Sequence, residues 1–488
     1  MTRLPLLVVL VAVLAACEES EDGITGPCGF GQPCAIDPIA RVELSVPAQA
    51  LVPGDTITVS ARAVDSAGVQ VPAPIAFSSS DSSVAIVDED GLLTAFAPGI
   101  TTITAAADTH TAMVDVEVVA LIAAGIAAGE DMACVATNVP GRAQCWGLGD
   151  VGQLGFTPDT VCFGDNPQIG APLGCAIAPR VVSRALDLTS VSVGDSLACA
   201  LAADGVAWCW GDNRFGQLGI GSIASGDGPQ RVIAPAGALT TVSAGGRHAC
   251  GIASATTYCW GEDSLGQLGD ARRINSTTPI PVVTTQTFTT ITTGLRHTCA
   301  LNASGDASCW GTNETGQLGI GGIGGFADVP VAVTGGYVYT AIAAGDSSTC
   351  AVRSDGAVVC WGADTYGQLG RGASGATSGT PTPVTGITSV TAVTVGTGYA
   401  CALGAAGEAY CWGKNDYGQL GSTGGGTATP RPVDGGLAFG AIAAGSRHAC
   451  GATLQGAVHC WGSNVFGALG NQLQAAVRGM PVAVTLSP

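Results

Sequence analysis

Residues 209–219 read CWGDNRFGQLG, and variants of this phrase occur seven times along the 488-residue chain. The CWG of each copy begins at Cys145, Cys209, Cys259, Cys309, Cys360, Cys411 and Cys460, at intervals of 64, 50, 50, 51, 51 and 49 residues. A period near fifty, written in short apolar runs and Gly turns, is the mark of a propeller or a solenoid. Each unit carries an apolar run ending in Gly, a hairpin bracketed by Cys, the Trp-Gly phrase, a Gly-rich connection and a Pro-Val run such as TPRPV. That makes about four strands per unit, the content of one propeller blade. A solenoid needs atypical capping repeats at its ends. Here the first and last units both carry the ordinary phrase, which favours a closed ring of seven blades.

Within the phrase, Trp146, Trp210, Trp260, Trp310, Trp361, Trp412 and Trp461 are large apolar bodies that one blade cannot bury alone, so they are expected between blades. The paired Gly of GQLG permit a tight turn. Asn or Asp can close a side-chain-to-backbone turn, and Gln can satisfy buried backbone groups. The phrase is therefore read as architecture.

The cysteines follow the same period. Setting Cys17 aside, eighteen of the 19 fall into short-range pairs: Cys28 with Cys34, Cys134 with Cys145, Cys162 with Cys175, Cys199 with Cys209, Cys250 with Cys259, Cys299 with Cys309, Cys350 with Cys360, Cys401 with Cys411, and Cys450 with Cys460. In CALAADGVAWC (199–209) a three-residue loop of Ala203, Asp204 and Gly205 sets Cys199 opposite Cys209. Opposed residues on antiparallel strands lie within disulfide reach. The same midpoint-then-Gly pattern recurs at Gly305, Gly356, Gly407 and Gly456. Reduced thiols packed as small apolar groups are one competing state. Zinc is another, but the C-x-x-C knuckles that clamp it are absent.

The bulk properties agree with export. Asp and Glu number 37 against 18 Lys and Arg, for a net charge of −19, which argues against a nucleic-acid surface. The N-terminal MTRLPLLVVLVAVLAAC has one Arg, an apolar stretch and small residues before a Cys, the plan of a signal peptide over residues 1–16. Leu14 to Cys17, LAAC, resembles the lipobox of bacterial lipoproteins. That resemblance implies a diacylglyceryl thioether on Cys17 and a lipid anchor in the cell envelope; Glu18 in the next position points to the outer membrane or cell surface. No later apolar run is long enough to span a membrane as a helix.

The phrases CWGDNRFGQLG, CWGTNETGQLG and CWGKNDYGQLG, with the preceding GLRHTCAL, resemble the repeat of the regulator of chromosome condensation family. That resemblance covers residues 121–488 and implies a seven-bladed β-propeller. The pattern departs at Gly149, Asp263 and Asp364, where Asn is usual, and at Ala468, where Gln is usual. The family's best-known activity is nucleotide exchange on a small GTPase. None of its functional loop residues maps here, and export separates the chain from such a substrate.

Ahead of the propeller, residues 17–40 read as an acidic tether holding the small Cys28–Cys34 ring. Residues 41–119 alternate strand runs (VELSV, TITVSARAV, TTITAAA, MVDVEVV) with turns, as a β-sandwich does. VAIVDEDGLLTAFAPGITTITA resembles the bacterial immunoglobulin-like domain of group 2. The fold class expected is thus all-β, an immunoglobulin-like sandwich followed by a seven-bladed propeller.

Candidate functional residues are few. No Ser-His-Asp order, phosphate loop, H-E-x-x-H or paired-carboxylate motif recurs in a recognisable context. No catalytic residue, metal or cofactor is expected. His248, His297 and His448 each sit in G-x-R-H and could line a channel; the plainer expectation is that each donates to the neighbouring blade's backbone. The first unit carries about fourteen extra residues within FTPDTVCFGDNPQIGAPLGCAIAP, stiffened by Cys162 and Cys175. Phe163, Asp165, Asn166 and Gln168 make this the candidate binding loop. IGGIGGFADVP in the fourth unit is a second, weaker insertion. The function expected is a noncatalytic, lipid-anchored scaffold for a protein or envelope-glycan partner. A channel-sited enzyme is the other alternative beside nucleotide exchange.

Overall fold

The computed structural model describes residues 39–47, 51–164, 172–473 and 477–487. Cys17, Cys28, Cys34, Asp165, Asn166 and Gln168, with the signal peptide and most of the tether, lie outside them. The chain divides into two compact units, ending and beginning at Val119 and Ala120.

The first unit is a β-sandwich built of two three-stranded sheets and one two-stranded sheet. Its longest element is the hairpin Gly99–Ala107 with His110–Val118, whose alternation puts Ile103, Ala105, Val116 and Val118 in the core. The run TITVSARAV, read above as one strand, is two. Thr56–Thr58 pairs with Leu92–Ala95, while Ser60–Val64 pairs with Arg41–Ser45. The chain changes sheets at Val59, whose N–H donates to Gly91 O at 2.8 Å. This places Ile57 and Val59 in one core cluster, with Ala63 in a second beside it.

The second unit is a seven-bladed β-propeller. Six blades are four-stranded antiparallel sheets in sequence order, and the first blade has a fifth strand. The innermost strands are Ala123–Ala128, Leu188–Val193, Leu239–Ala244, Phe288–Thr293, Tyr339–Ala344, Val390–Val395 and Phe439–Ala444. Because strands alternate in direction, the turns joining first to second and third to fourth strands share one face. The hairpins joining second to third share the other.

Each Cys-bracketed hairpin joins a second to a third strand, and its two Cys stand directly opposite one another. All seven are disulfide-bonded, with Cα atoms 4.0–4.1 Å apart, closer than two opposed strand residues usually stand. Gly205 has φ +78°, the left-handed conformation its loop position requires. The third blade departs, with a two-residue loop in which Ser254 and Ala255 take φ +47° and +69° without Gly.

The Trp-Gly phrase makes the joint between blades. In every blade the pairing of third and fourth strands slips at the Trp, as in a β-bulge that frees the residue from the ladder. Each indole is completely buried. Its Nε1 donates to a main-chain oxygen of the preceding blade's GQLG turn: Trp210 to Gln153, Trp260 to Gln217, Trp310 to Gln267, Trp361 to Gln317, Trp412 to Gln368 and Trp461 to Gln419, at 2.8–3.0 Å. Trp146 donates to Ala468 O at 2.9 Å and so closes the ring. Since the acceptor is a backbone carbonyl, replacing Gln by Ala468 leaves the joint intact. The Gln side chain acts within its own turn. Gln217 Oε1 accepts from the Phe215 N–H at 2.9 Å, and five more units repeat this.

Candidate functional site

The first strand of each blade runs into a Gly, and the seven Gly meet around the central channel. A Cβ on Gly129 would collide with Gly194 O, one on Gly194 with Gly245 O, and so on round the ring to Gly445 against Gly129 O, except at Gly345, where it would collide with the Val395 side chain. No other residue allows the seven turns to approach so closely. They ring one mouth of a cavity of about 660 Å³ lined by all seven innermost strands.

The residues after those Gly differ from blade to blade. Glu130, Asp195 and Asp346 line the cavity. Among the described residues none of the three has a hydrogen bond or an ion pair. Burial pushes the Asp195 carboxyl up to about 6, and Glu130 and Asp346 add to the shift while Arg247 opposes it. Burial also raises Asp346, against the pull of Arg296. Three carboxylates from blades 1, 2 and 5 therefore share one field.

Three cations at this mouth are held against aromatic rings. The Arg247 guanidinium lies 5.1 Å from the centre of Phe215, and Lys414 Nζ lies 5.1 Å from Tyr366 and 5.9 Å from Tyr417. Arg447 lies 5.5 Å from Tyr417 and pairs with Asp131 across the closing joint at 2.5 Å. Phe215, Tyr366 and Tyr417 all occupy the seventh position of the phrase, and Lys414 the fourth. One mouth thus combines unpaired carboxylates with cation–aromatic pairs, a mixture suited to recognising a polar partner by charge and ring contacts.

The three His are not part of the mouth. His248, His297 and His448 are fully buried between blades. His248 Nε2 lies 2.9 Å from Thr298 Oγ1 of the next blade, and His297 Nε2 lies 2.9 Å from Thr349 Oγ1. Each Thr hydroxyl donates onward, Thr298 to Gln267 O and Thr349 to Gln317 O, so the His nitrogen is the donor. For His248 and His297 the expected backbone acceptor is thus a side-chain hydroxyl. A backbone acceptor is instead used by Tyr399, which holds the same position and donates to His448 O at 2.6 Å. Next to His448 the equivalent of Thr298 is Ala133. Burial lowers all three imidazoles, to about 3 for His248 and about 4 for His297 and His448.

The candidate loop of the first blade is less free than an open insertion. Thr160–Cys162 pairs with Leu173–Val181 to form the blade's fifth strand, and Cys162 is bonded to Cys175. The two Cys pack against Val465 and Phe466 of the seventh blade. Phe163 is 44 % exposed at the edge of this cluster. Among the described residues no group of three or more His, Cys, Asp or Glu is arranged to hold a metal ion.

Glu130, Asp195, Arg247, Asp346, Lys414, Tyr417 and Arg447 were not singled out by the motif reading. The signal that marks them is divergence. They fill the two columns after the strand-ending Gly and positions four and seven of the phrase, where otherwise equivalent units disagree.

A family model for the RCC1-like domain matches residues 145–487, and one for the bacterial Ig-like domain (group 2) matches residues 39–118. Human WBSCR16 superposes with a TM-score of 0.61 at 22 % identity, over 70 % of this chain and 92 % of that one. Yeast RCC1 (Prp20), solved with Kap60, gives 0.60 at 20 % identity, over 75 % and 85 %. At such identities the likeness is one of fold. The ultraviolet-B receptor UVR8 of Arabidopsis thaliana is 28 % identical over 121 residues, 24 % of each chain. The probable E3 ubiquitin-protein ligase HERC6 of Homo sapiens is 35 % identical over 112 residues, 22 % of this chain and 10 % of that protein. The chain therefore spans about a quarter and a tenth of these two relatives.

Proposed function

From a chain that belongs to the RCC1-like domain family, we propose an exported, lipid-anchored scaffold that binds a protein or cell-envelope partner at the channel mouth and performs no chemistry on it. The observation that carries this reading is the contrast between joint and mouth. Seven units repeat the residues that close the ring, yet the mouth gathers unpaired Glu130, Asp195 and Asp346 beside cations stacked on Tyr366 and Tyr417. Groups that no fold requirement explains, converging on one cavity, are the usual mark of recognition. Export is supported by eight disulfides among the described residues and by the LAAC sequence at Cys17. Protein binding has a parallel in yeast RCC1, which was crystallised with Kap60.

Crosslinking and capture from intact cells tests the reading. Wild type is compared with Asp195→Asn/Asp346→Asn and with a deletion of 157–178. Loss of the captured partner in the mouth variant supports the mouth as the site. Equal capture by that variant refutes it, and loss only in the deletion moves the site to the first-blade loop. Labelled palmitate on wild type but not on Cys17→Ala tests the anchor.

A further inference from the structure

The loops after the GQLG turns of blades 2, 3 and 4 differ from those of blades 5 and 6. They read IGSIAS (220–225), DARRIN (270–275) and IGGIGGF (320–326), whereas blades 5 and 6 carry RGASGA (371–376) and STGGGT (422–427). Ile223, Ile274, Ile323 and Phe326 stand 64, 68, 54 and 44 % exposed. Backbone hydrogen bonds tie the loops into one rim, each crossing to the next blade: Gly221 N–H to Thr277 O at 2.8 Å, Ala271 N–H to Asp328 O at 3.0 Å, and Gly321 N–H to Gly379 O at 2.8 Å. The Arg273 guanidinium lies 5.0 Å over the Phe326 ring, joining the tips of blades 3 and 4. The sole carboxylate of these loops, Asp270, is buried and lies 3.9 Å from the exposed Arg272. In a chain of net charge −19 this arc presents three aliphatic tips, one aromatic ring and two Arg.

We propose that this arc is a docking rim for an anionic phospholipid surface, with Ile223, Ile274, Ile323 and Phe326 entering the headgroup layer and Arg272 and Arg273 on the phosphates. The tips are aliphatic, stand on separate loops and protrude. Protein interfaces instead concentrate their energy in Tyr, Trp and Arg set into matching pockets. Apolar tips beside long cationic side chains suit a lipid boundary, where the stem stays in the apolar layer and the charge stays in the headgroups. The proposal rests on the exported, anchored reading only in requiring a membrane within reach. An acyl chain on Cys17 would raise the local lipid concentration, so weak rim binding suffices.

The test uses the full chain carrying Cys17→Ser, so that no acyl chain contributes, in co-sedimentation with phosphatidylglycerol/phosphatidylethanolamine vesicles and with phosphatidylcholine vesicles. Binding is expected to the anionic vesicles, weakened by salt and by phosphatidylcholine. It is expected to fall about tenfold in Ile274→Asp/Ile323→Asp and to fall in Arg272→Glu/Arg273→Glu. Leu454→Asp, on a hairpin of the opposite face and equally exposed in wild type, is expected to change nothing. Thermal melts of all variants check that each is folded. Absence of vesicle binding, or equal loss in Leu454→Asp and the rim variants, overturns the proposal. So does capture of polyglutamate in place of vesicles, which would assign the arc to an acidic protein. The mouth variants score the proposed function separately. A chain that captures its partner but ignores vesicles loses only the rim proposal, and one that binds vesicles without a partner loses only the scaffold reading.

Discussion

Gly319→Ala is the sharpest probe of the joint between blades. Gly319 is the second Gly of a GQLG turn, with φ +68°, and a Cβ there would lie 2.8 Å from Trp361 Nε1 and 3.0 Å from its Cδ1 and Cε2. The indole cannot retreat without weakening its 2.8 Å hydrogen bond to Gln317 O. That oxygen also accepts from Thr349 Oγ1, which in turn receives His297 Nε2. The left-handed conformation alone costs an Ala about 1–2 kcal/mol. Crowding the indole adds roughly 1–3 kcal/mol. The sum is about 2–5 kcal/mol, a large part of the stability of an ordinary domain. Gly324→Ala supplies the control. Its φ of +96° carries similar backbone strain, but a Cβ there meets no atom within 4 Å, so its cost should stay near 1–2 kcal/mol. Equilibrium guanidinium unfolding of the oxidised protein, followed by Trp emission, measures both variants. A gap of about 2 kcal/mol, or more than tenfold in the unfolding constant, is expected. If the two variants lose the same stability, the Trp is not wedged on the preceding blade's turn and the account of the joint fails.

Removing one hairpin staple, as in Cys299→Ser/Cys309→Ser, should cost roughly 2–3 kcal/mol in the same unfolding assay, the chain-entropy value for so short a loop. Ser254→Asn/Ala255→Gly should raise the melting temperature, because both residues now hold positive φ in a two-residue turn; the expected gain is about 1 kcal/mol or more. The buried His set a pH dependence. His297 titrates near 4 in the fold against 6.5 ordinarily, so below pH 6.5 the unfolded chain takes up a proton that the fold refuses. Its contribution is present above pH 6.5 and is lost as the pH falls towards 4, at about 1.4 kcal/mol per pH unit. Asp195, near 6, and Asp263, raised by burial and by neighbouring Asp270, oppose it: above their ordinary 3.8 the unfolded chain releases protons that the fold keeps. His297→Gln should therefore remove one His share of the acid-side slope between pH 6.5 and 4, measured by denaturant unfolding at each pH. An unchanged slope would show that His297 is not the group held neutral.

The propeller was legible because its joints are written in residue types that act through the backbone. Trp donates to a main-chain oxygen, Gln accepts from a main-chain N–H, and Asn213 Oδ1 accepts from the Leu218 N–H at 3.0 Å. Each function needs only its own residue and the polymer that every neighbour supplies, so it repeats without regard to sequence elsewhere. The hairpin staples were legible for the same reason, since loop length and the left-handed Gly set the register. The His partners were not, because Thr298 and Thr349 belong to a different column of the next unit, and Ala133 fills that column beside His448.

The mouth was illegible for a stronger reason. Asp131 and Arg447 are 316 residues apart and meet only because the ring closes. Asp195 feels Glu130 and Asp346 only because seven Gly bring seven turns to one rim. A motif search rewards what recurs, and in a closed repeat the recurring residues are already committed to closure. What is left to vary is two residues per turn and the exposed positions of the phrase, and the ring delivers all of them to the same face. Charge at the mouth is therefore a property of the circle rather than of any unit. A substitution such as Asp346→Asn alters the proton affinity of Asp195 from three blades away while leaving every joint as it was.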